Sequence, residues 1–445
     1  MALRWSISQS PGRIVLLSII GIIALGTLLL ALPAAQEIPH AFIDLFFTAT
    51  SATCVTGLLT IPLTEFTLFG KSIILLLMQI GGLGLITMTV FLISLFFQVG
   101  IKTHLIAGQI LELDSWQNSK RIIKFIILLA FTTELIGTIL LWFTLPASND
   151  LPPFFAALFH AVSSFCSAGF SIFPDNMLVV RHNAPFLIIT IALLLVGEMG
   201  FITWHELASA ARALWRRRWF KLSLHTKIVL YCSLLIITGA AVALWFLERH
   251  NALAHESTGY AVLNTLFNAI SYRSCGFSTL PFANLQCATF ILVMVIAFIG
   301  SSPGSTGSGI KTTSFALIVA TIKSIMSGRN VIELCGRRIA HEQIFKVLVI
   351  FSLAISWIIL TTFILLLTEY DPHCSLLAIL FEAVSAFANL GLSLNLTPLL
   401  STAGKTVVIL SMIIGRIGAL TLILAIKPRH DTVEFQYPEE RVMLS

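Results

Sequence analysis

The pattern Phe-x-Ala-x-Ser recurs four times in this 445-residue chain, at Phe47–Ser51, Phe159–Ser163, Phe267–Ser271 and Phe381–Ser385. Each copy leads to one glycine, at Gly57, Gly169, Gly276 and Gly391, with Phe-to-Gly separations of 10, 10, 9 and 10 residues. A second landmark follows 24, 28, 24 and 24 residues after that glycine: Ile80-Gly81, Val196-Gly197, Ile299-Gly300 and Ile414-Gly415. In three copies another glycine stands three residues further on, at Gly84, Gly200 and Gly418. Two features kept in step across four copies define an internal repeat, and a repeat of this kind dictates the architecture.

The surroundings of the landmarks place the repeat in a membrane. Hydrophobic residues make up 57% of the chain and charged residues 11%, and the mean hydropathy is +0.94. A soluble chain of this length needs more polar surface. Each copy holds a first apolar run, roughly 14–32, 122–145, 226–247 and 343–368. It also holds a second, roughly 71–97, 184–208, 286–326 and 403–426. Such runs are long enough to cross a hydrocarbon core of about 30 Å as helices. Between them lies a half-polar segment of about 12 residues ending at the glycine, too short to span, which fits a re-entrant helix. The first run, 14–32, reads as a retained membrane helix and not a signal peptide. The expected fold is an all-α integral membrane protein with eight spans and four re-entrant pore loops around one pseudo-fourfold pathway. Its units are 1–98 (pore loop 40–58), 99–212 (pore loop 152–171), 213–330 (pore loop 259–279, interrupted second helix 300–313) and 331–428 (pore loop 374–393), with a C-terminal tail at 429–445.

The charge distribution orients this scheme. The N-terminus, the linkers between repeats and the C-terminus hold 20 of the 27 Lys and Arg residues, and the pore-loop side holds five: Lys71, Arg181, Arg249, Arg273 and Lys405. The positive-inside rule then puts both termini in the cytoplasm and the pore loops on the outer side. The net charge of +6 thus reads as a topology signal, and no nucleic-acid partner is expected. The triplet Arg216-Arg217-Arg218 belongs to this signal, with anionic lipid as a reasonable contact.

Non-helical backbone at membrane depth survives only where it is buried in protein or lines a water-filled path. Four such loops around one axis offer rings of carbonyl oxygens, which can replace the hydration shell of a dehydrated K+. Glycine permits the backbone angles and close approach that this needs. The re-entrant helices aim their C-terminal partial negative charge at the path. The ion-binding residues are expected at Thr53, Cys54, Val55, Thr56 and Gly57; at Cys166, Ser167, Ala168 and Gly169; at Arg273, Ser274, Cys275 and Gly276; and at Ala388, Asn389, Leu390 and Gly391. None is Asp or Glu, which favours a monovalent ion over a divalent one. The seven cysteines show no CxxC or CxxH spacing, so neither a transition-metal site nor a disulfide framework is expected.

The segments Ser51-Ala-Thr-Cys-Val-Thr-Gly57-Leu, Cys166-Ser-Ala-Gly169-Phe-Ser, Arg273-Ser-Cys-Gly276-Phe-Ser-Thr279 and Asn389-Leu-Gly391-Leu-Ser resemble the four filters of the Trk/Ktr/HKT superfamily of K+ transporters, over nearly the whole chain. The chain looks closest to the KtrB-type membrane subunit. The resemblance implies a fold like four fused K+-channel subunits. It also implies a homodimer in the bacterial cytoplasmic membrane and a cytosolic nucleotide-binding regulatory subunit of the KtrA/TrkA type. K+ is the implied ion, with Na+ left open as a coupling or activating ion; no covalent cofactor is expected. Gly57 fits the K+ pattern, because a serine in the first filter accompanies Na+ transport in some plant members. Cys54, and Tyr272 where proline is usual, depart from the family pattern.

The third repeat differs from the others. Its run Gly300-Ser-Ser302-Pro-Gly304-Ser305-Thr306-Gly307-Ser308-Gly309-Ile-Lys311 cannot hold a regular helix. A phosphate-binding loop is excluded, since Ile310 separates Gly309 from Lys311 and no strand precedes the run. The resemblance implies an intramembrane gating loop. Arg416 lies inside an apolar run, where an Arg costs roughly 3 kcal/mol to insert, and carbonyls of the 300–309 loop are its expected partners. Asp44, Glu134, Glu198 and Glu382 read as structural carboxylates. The alternative reading is a secondary transporter of another monovalent cation or a small solute. No HExxH, GxSxG or paired-carboxylate motif supports an enzyme.

Overall fold

The computed structural model describes residues 11–83, 116–146, 151–328, 331–369 and 375–418. Among them fourteen α-helices follow in chain order. The first group is α1 (Pro11–Leu30), α2 (Phe42–Cys54) and α3 (Leu68–Gly82). The second is α4 (Trp116–Thr144), α5 (Pro153–Phe165), α6 (Ala184–Glu198) and α7 (Phe201–Trp215). The third is α8 (Leu224–Glu248), α9 (Thr258–Ser271), α10 (Cys287–Ile299) and α11 (Thr312–Met326). The fourth is α12 (His341–Thr368), α13 (Leu376–Ala388) and α14 (Thr402–Ile417).

Long helices lie outside and short ones inside. α4, α8 and α12 are long and apolar enough to cross a membrane, yet no more than 39% of their apolar windows is buried. Phe143, Leu235 and Phe345 on them are exposed, which is the surface a hydrocarbon solvent asks for. The short helices α2, α5, α9 and α13 have 13, 13, 14 and 13 residues, about 20 Å at 1.5 Å per residue. Their C-terminal ends are buried, as over Phe47–Cys54, Phe159–Phe165, Phe267–Ser271 and Phe381–Ala388.

Polar side chains tie the first long run of a group to the second. Glu248 at the end of α8 accepts from the Gln286 backbone N–H at 3.0 Å, just before α10. Glu369, after α12, accepts from the Ser401 N–H at 3.0 Å and its hydroxyl at 2.6 Å, before α14. Asn183 donates to the Thr144 carbonyl at 2.8 Å. These contacts supply partners to helix ends that the bilayer would leave unsatisfied.

The groups close on one another in a ring. α3 packs on α5, α6 on α9, α10 on α13, and α14 returns to α2. An ion pair of 2.6 Å between Lys405 on α14 and Asp44 on α2 fastens the closing seam. The recurring second-landmark glycines have a steric reason. A Cβ on Gly81, Gly197 or Gly415 would come within 3.0 Å of the carbonyl oxygen of Thr53, Phe165 or Phe387 respectively. These carbonyls occupy the same place in their re-entrant helices, six residues after the repeat Phe.

Two expectations about the second runs change. The run 184–208 is not one helix: α6 and α7 meet at 101° across Met199-Gly200. Gly200 takes φ 86° and ψ 136° there, and the Trp204 indole N–H latches the bend by donating to the Val196 carbonyl at 2.9 Å. Gly418, which ends α14, has φ 85° and ψ 131°, and Lys311, which opens α11, has φ 86° and ψ 137°. In the second and fourth groups the glycine three residues after the packing glycine is therefore a breaking point, and in the third the same backbone state falls on Lys311. Among the described residues three single helices meet the length and apolarity of a span, or four spans if the bent pair is one, and parts of the expected runs 71–97 and 403–426 lie outside those residues. The breaks divide the second runs into shorter apolar pieces. The expected boundary at 212/213 falls inside α7, while the boundary at 98/99, the tail 429–445 and the second-run ends beyond 83 and 418 lie outside the described residues.

Replacing Gly415 by Ala forces a Cβ onto the Phe387 carbonyl, and such overpacking costs about 1–3 kcal/mol. Gly239, on α8, has nothing within 4 Å of its Cβ position. Thermal unfolding in lipid nanodiscs is expected to show a lowered midpoint for Gly415→Ala and none for Gly239→Ala; equal midpoints would contradict the packing account.

Candidate ion pathway

The serine of each Phe-x-Ala-x-Ser copy turns the chain back on its helix. The Ser51, Ser163 and Ser385 carbonyls accept from the backbone N–H of Thr56, Ala168 and Leu390 at 2.8, 2.7 and 2.9 Å. One residue in each of these turns is left-handed: Val55 at φ 58°, Ser167 at 56° and Asn389 at 53°. The third copy lacks that residue. There Ser271 accepts from both Cys275 and Gly276, at 2.9 and 3.0 Å, which accounts for its separation of 9 residues in place of 10. Serine hydroxyls brace the same loops. Ser51 Oγ accepts from the Gly57 N–H at 3.1 Å, and Ser163 and Ser385 donate to the Phe170 and Leu392 carbonyls at 2.9 and 2.6 Å.

The four loops meet glycine to carbonyl in one cyclic order. A Cβ on Gly57 would come within 3.0 Å of the Ala168 carbonyl oxygen, one on Gly169 within that distance of Cys275 O, one on Gly276 of Leu390 O, and one on Gly391 of Thr56 O. Each acceptor immediately precedes the glycine of the next repeat, so the fourth contact closes the circle begun by the first. The glycines have φ of 91°, 70°, 79° and 88°, a region that side chains disfavour. Space and backbone conformation thus both demand glycine at all four positions.

The side chains of this segment point elsewhere. Cys54, Cys166 and Cys275 sit in three separate apolar cores behind the loops. Thr53 donates back to its own helix at Ala49 O, 2.8 Å away. Arg273, expected among the residues of the carbonyl-lined ion site, has a fully buried side chain. Its Nε donates to the Gly300 carbonyl at 3.1 Å and lies 3.6 Å from the Glu198 carboxylate. Glu198 also accepts from the Ser274 hydroxyl at 2.9 Å. Glu198, at the end of α6, thereby joins the third loop to the second group. Its spacing carries no motif; only its place at membrane depth marked it. Glu382 braces the fourth loop, accepting from Ser393 and Thr397 hydroxyls at 2.7 and 2.5 Å. Glu134 is held by the Gln79 amide at 2.9 Å.

The segment between α10 and α11 lies against this ring. Ile310 and Lys311 donate to the Phe298 and Ile299 carbonyls at 3.1 and 3.0 Å, pinning the segment's far end to the end of α10. Ser302 and Thr306 donate to the Glu198 and Gly197 carbonyls at 3.2 and 3.1 Å, and Phe201 donates to Gly304 O at 2.8 Å. Ser305 donates within the loop to Ser302 O at 2.6 Å. Gly300 and Gly309 pack so closely that a Cβ on either would meet the other's backbone. Three pore loops touch the segment. Ser167 Oγ is 3.3 Å from Thr306 Oγ1, Ser274 abuts Gly307, and the Asn389 amide is 3.0 Å from the Ser308 hydroxyl.

Three cations hold the segment by its carbonyls. Arg273 reaches Gly300 O as above, Lys311 Nζ donates to Gly307 O at 2.6 Å, and Arg416 Nη1 donates to Thr306 O at 2.5 Å and Ser308 Oγ at 3.2 Å. Arg416 Nη2 also donates to Gly81 O in the first group. Glu198 faces Arg273 at 3.6 Å, and among the described residues Lys311 and Arg416 form no ion pair. Lys311 itself has φ 86°, a backbone state near one that only glycine adopts readily, and such strain persists only where the surroundings hold it.

A closed ring of glycine-bearing re-entrant loops inside a lipid-facing helical shell is the build of a membrane cation transporter, not of an enzyme. The chain belongs to the TrkH family of cation transport proteins, whose family model matches residues 14–434. It is 34% identical to the Ktr system potassium uptake protein B of Vibrio alginolyticus, over 97% of this chain and 94% of that one. It is 32% identical to the protein of the same name from Bacillus subtilis, over 99% and 98%. It is 31% identical to the potassium/sodium uptake protein NtpJ of Enterococcus hirae, over 98% and 97%. Its fold matches the crystal structure of the potassium transporter TrkH from Vibrio parahaemolyticus with a TM-score of 0.72 at 20% identity, covering 95% of this chain and 86% of that one.

Removing one partner of a buried ion pair costs about 3–5 kcal/mol, because the other charge is stranded, whereas replacing both is far milder. Glu198→Gln is expected to destabilise the protein by an amount in that range, and Glu198→Gln with Arg273→Met to recover part of the loss. A double-mutant cycle on unfolding midpoints in nanodiscs checks this; strict additivity of the two changes would contradict the pairing.

Proposed function

We propose that this chain is the ion-translocating membrane subunit of a K+ uptake system, with the glycine ring as its selectivity filter. The observation that carries the reading is the closed ring itself. It sets the carbonyls of Thr56, Ala168, Cys275 and Leu390 at the four junctions between loops. Carbonyl dipoles in such a ring can take the place of water around K+. Four buried helices end there, and their C-terminal partial charges favour a cation. No carboxylate belongs to the ring, which suits a monovalent ion. The names of the Vibrio alginolyticus and Bacillus subtilis relatives give potassium as their ion. The four units 1–98, 99–212, 213–330 and 331–428 act as quarter-pores in this reading.

The 300–311 segment is the gate. It crosses one side of the ring, and three cationic side chains are drawn in with it. A permeating cation meets both a steric plug and like charges until the segment moves. Na+ is the second ion in the cycle, on the potassium/sodium name of the Enterococcus relative. The working unit is a homodimer with a cytosolic nucleotide-binding subunit of the KtrA/TrkA type, in keeping with relatives named as one lettered component of a system. It sits in the bacterial cytoplasmic membrane with both termini inside, on the strength of 20 of 27 basic residues lying on that side.

A K+-uptake-deficient host carrying this chain and its regulatory subunit is expected to grow at limiting K+, and the Gly391→Ala variant to fail despite normal membrane levels. Growth of both, or of neither with good expression, would refute the filter assignment. In proteoliposomes, deleting Ser305–Ser308 is expected to raise 86Rb+ flux. Flux unchanged by the deletion would remove the segment from the gate.

A further inference from the structure

The corner between α7 and α8 is built like a membrane-surface contact and is mechanically joined to the 300–311 segment. α8 begins at Leu224 and is a full-length apolar span, with Tyr231, Leu234 and Leu235 exposed along it. The residues just before it must therefore sit at headgroup depth. They are Trp215, Arg216, Arg217, Arg218, Trp219 and Lys221. Trp215 is 89% and Trp219 103% exposed, and the three arginines and Lys221 are exposed and make no ion pair among the described residues. Exposed indoles beside unpaired arginines suit the anionic headgroup layer.

The corner has a fixed shape. Arg217 and Arg218 donate to the Leu214 and Ala213 carbonyls at 2.9 and 2.8 Å, Arg217 is left-handed at φ 53°, and Glu206 on α7 accepts from the Ser223 hydroxyl at 2.6 Å. α7 runs at 101° to α6. Its other end is bonded to the loop: Phe201 donates to Gly304 O, and a Cβ on Gly200 would strike the Pro303 carbonyl. One helix of 15 residues thus connects the headgroup layer to the segment that lies on the ring.

We propose that the Trp215–Lys221 corner binds anionic phospholipid headgroups and that α7 transmits their presence to the 300–311 segment, setting how readily it leaves the ring. The coupling rests on the reading of that segment as the gate; the headgroup site does not.

The test uses the full chain in vesicles of phosphatidylcholine with and without phosphatidylglycerol. Quenching of tryptophan fluorescence by brominated forms of each lipid reads headgroup preference, and 86Rb+ flux reads the gate. R216Q/R217Q/R218Q is compared with the charge-keeping R216K/R217K/R218K, and thiol labelling verifies that both insert in the wild-type orientation. We expect the Gln variant to lose phosphatidylglycerol preference about a hundredfold, at about 1 kcal/mol per arginine, and its flux to stop responding to phosphatidylglycerol, with flux in pure phosphatidylcholine unchanged and the Lys variant like wild type. A Gln variant with wild-type preference overturns the site and leaves the corner to a protein partner. Preference lost while flux still responds as in wild type overturns the lever. If the gate reading itself is wrong, the signature is different: preference is lost on substitution, yet deletion within 305–308 does not change flux.

Discussion

Four glycines pressed against four carbonyls hold the centre of this protein together. Each glycine leaves no room for a side chain because the next repeat's backbone occupies that space. The contact is between chains of different quarters, so no single repeat can build it. Everything outside it serves the same closure: short helices that bring the loops to the centre, serines that turn them, and packing glycines that let the second helices lie directly on the short ones.

The third quarter breaks the symmetry of the ring. Its loop is one residue shorter and lacks the left-handed residue of the others. Arg273 stands where the other copies place Thr53, Phe165 and Phe387. Its second helix is opened by a Gly/Ser segment that three cations grip by its carbonyls. The neighbouring second quarter is shaped to receive that segment. α6 stops at Glu198, whose carboxylate faces Arg273, and α7 starts at Phe201, whose N–H takes the Gly304 carbonyl. Asymmetry in one quarter is met by a matching break in the next.

Much of this was legible in the sequence. The repeat, the re-entrant segments and the four glycines were visible because apolar periodicity and glycine position survive divergence. The carbonyl partners of Arg416 followed from the cost of a guanidinium in an apolar run. The break at Gly200 was not legible: in Gly197-Glu-Met-Gly200 the packing glycine and the breaking glycine look alike. Nor was the direction of Arg273, since a residue three positions before a ring glycine can send its side chain inward or outward, and only the position of Glu198 and Gly300 decides. The cyclic order of contacts depends on how four distant loops assemble, and no local pattern encodes it. The separation of 9 was visible, but its cause, a missing left-handed turn residue, is a backbone property.

The central claim is that the four loops form one ion site and not four separate turns. Anomalous diffraction from crystals grown in Rb+ or Tl+ tests it directly. The account predicts scattering density on the ring axis, bounded by the carbonyls of Thr56, Ala168, Cys275 and Leu390, and displaced by excess K+. Density confined to sites within a single repeat, with none on the axis, would contradict it.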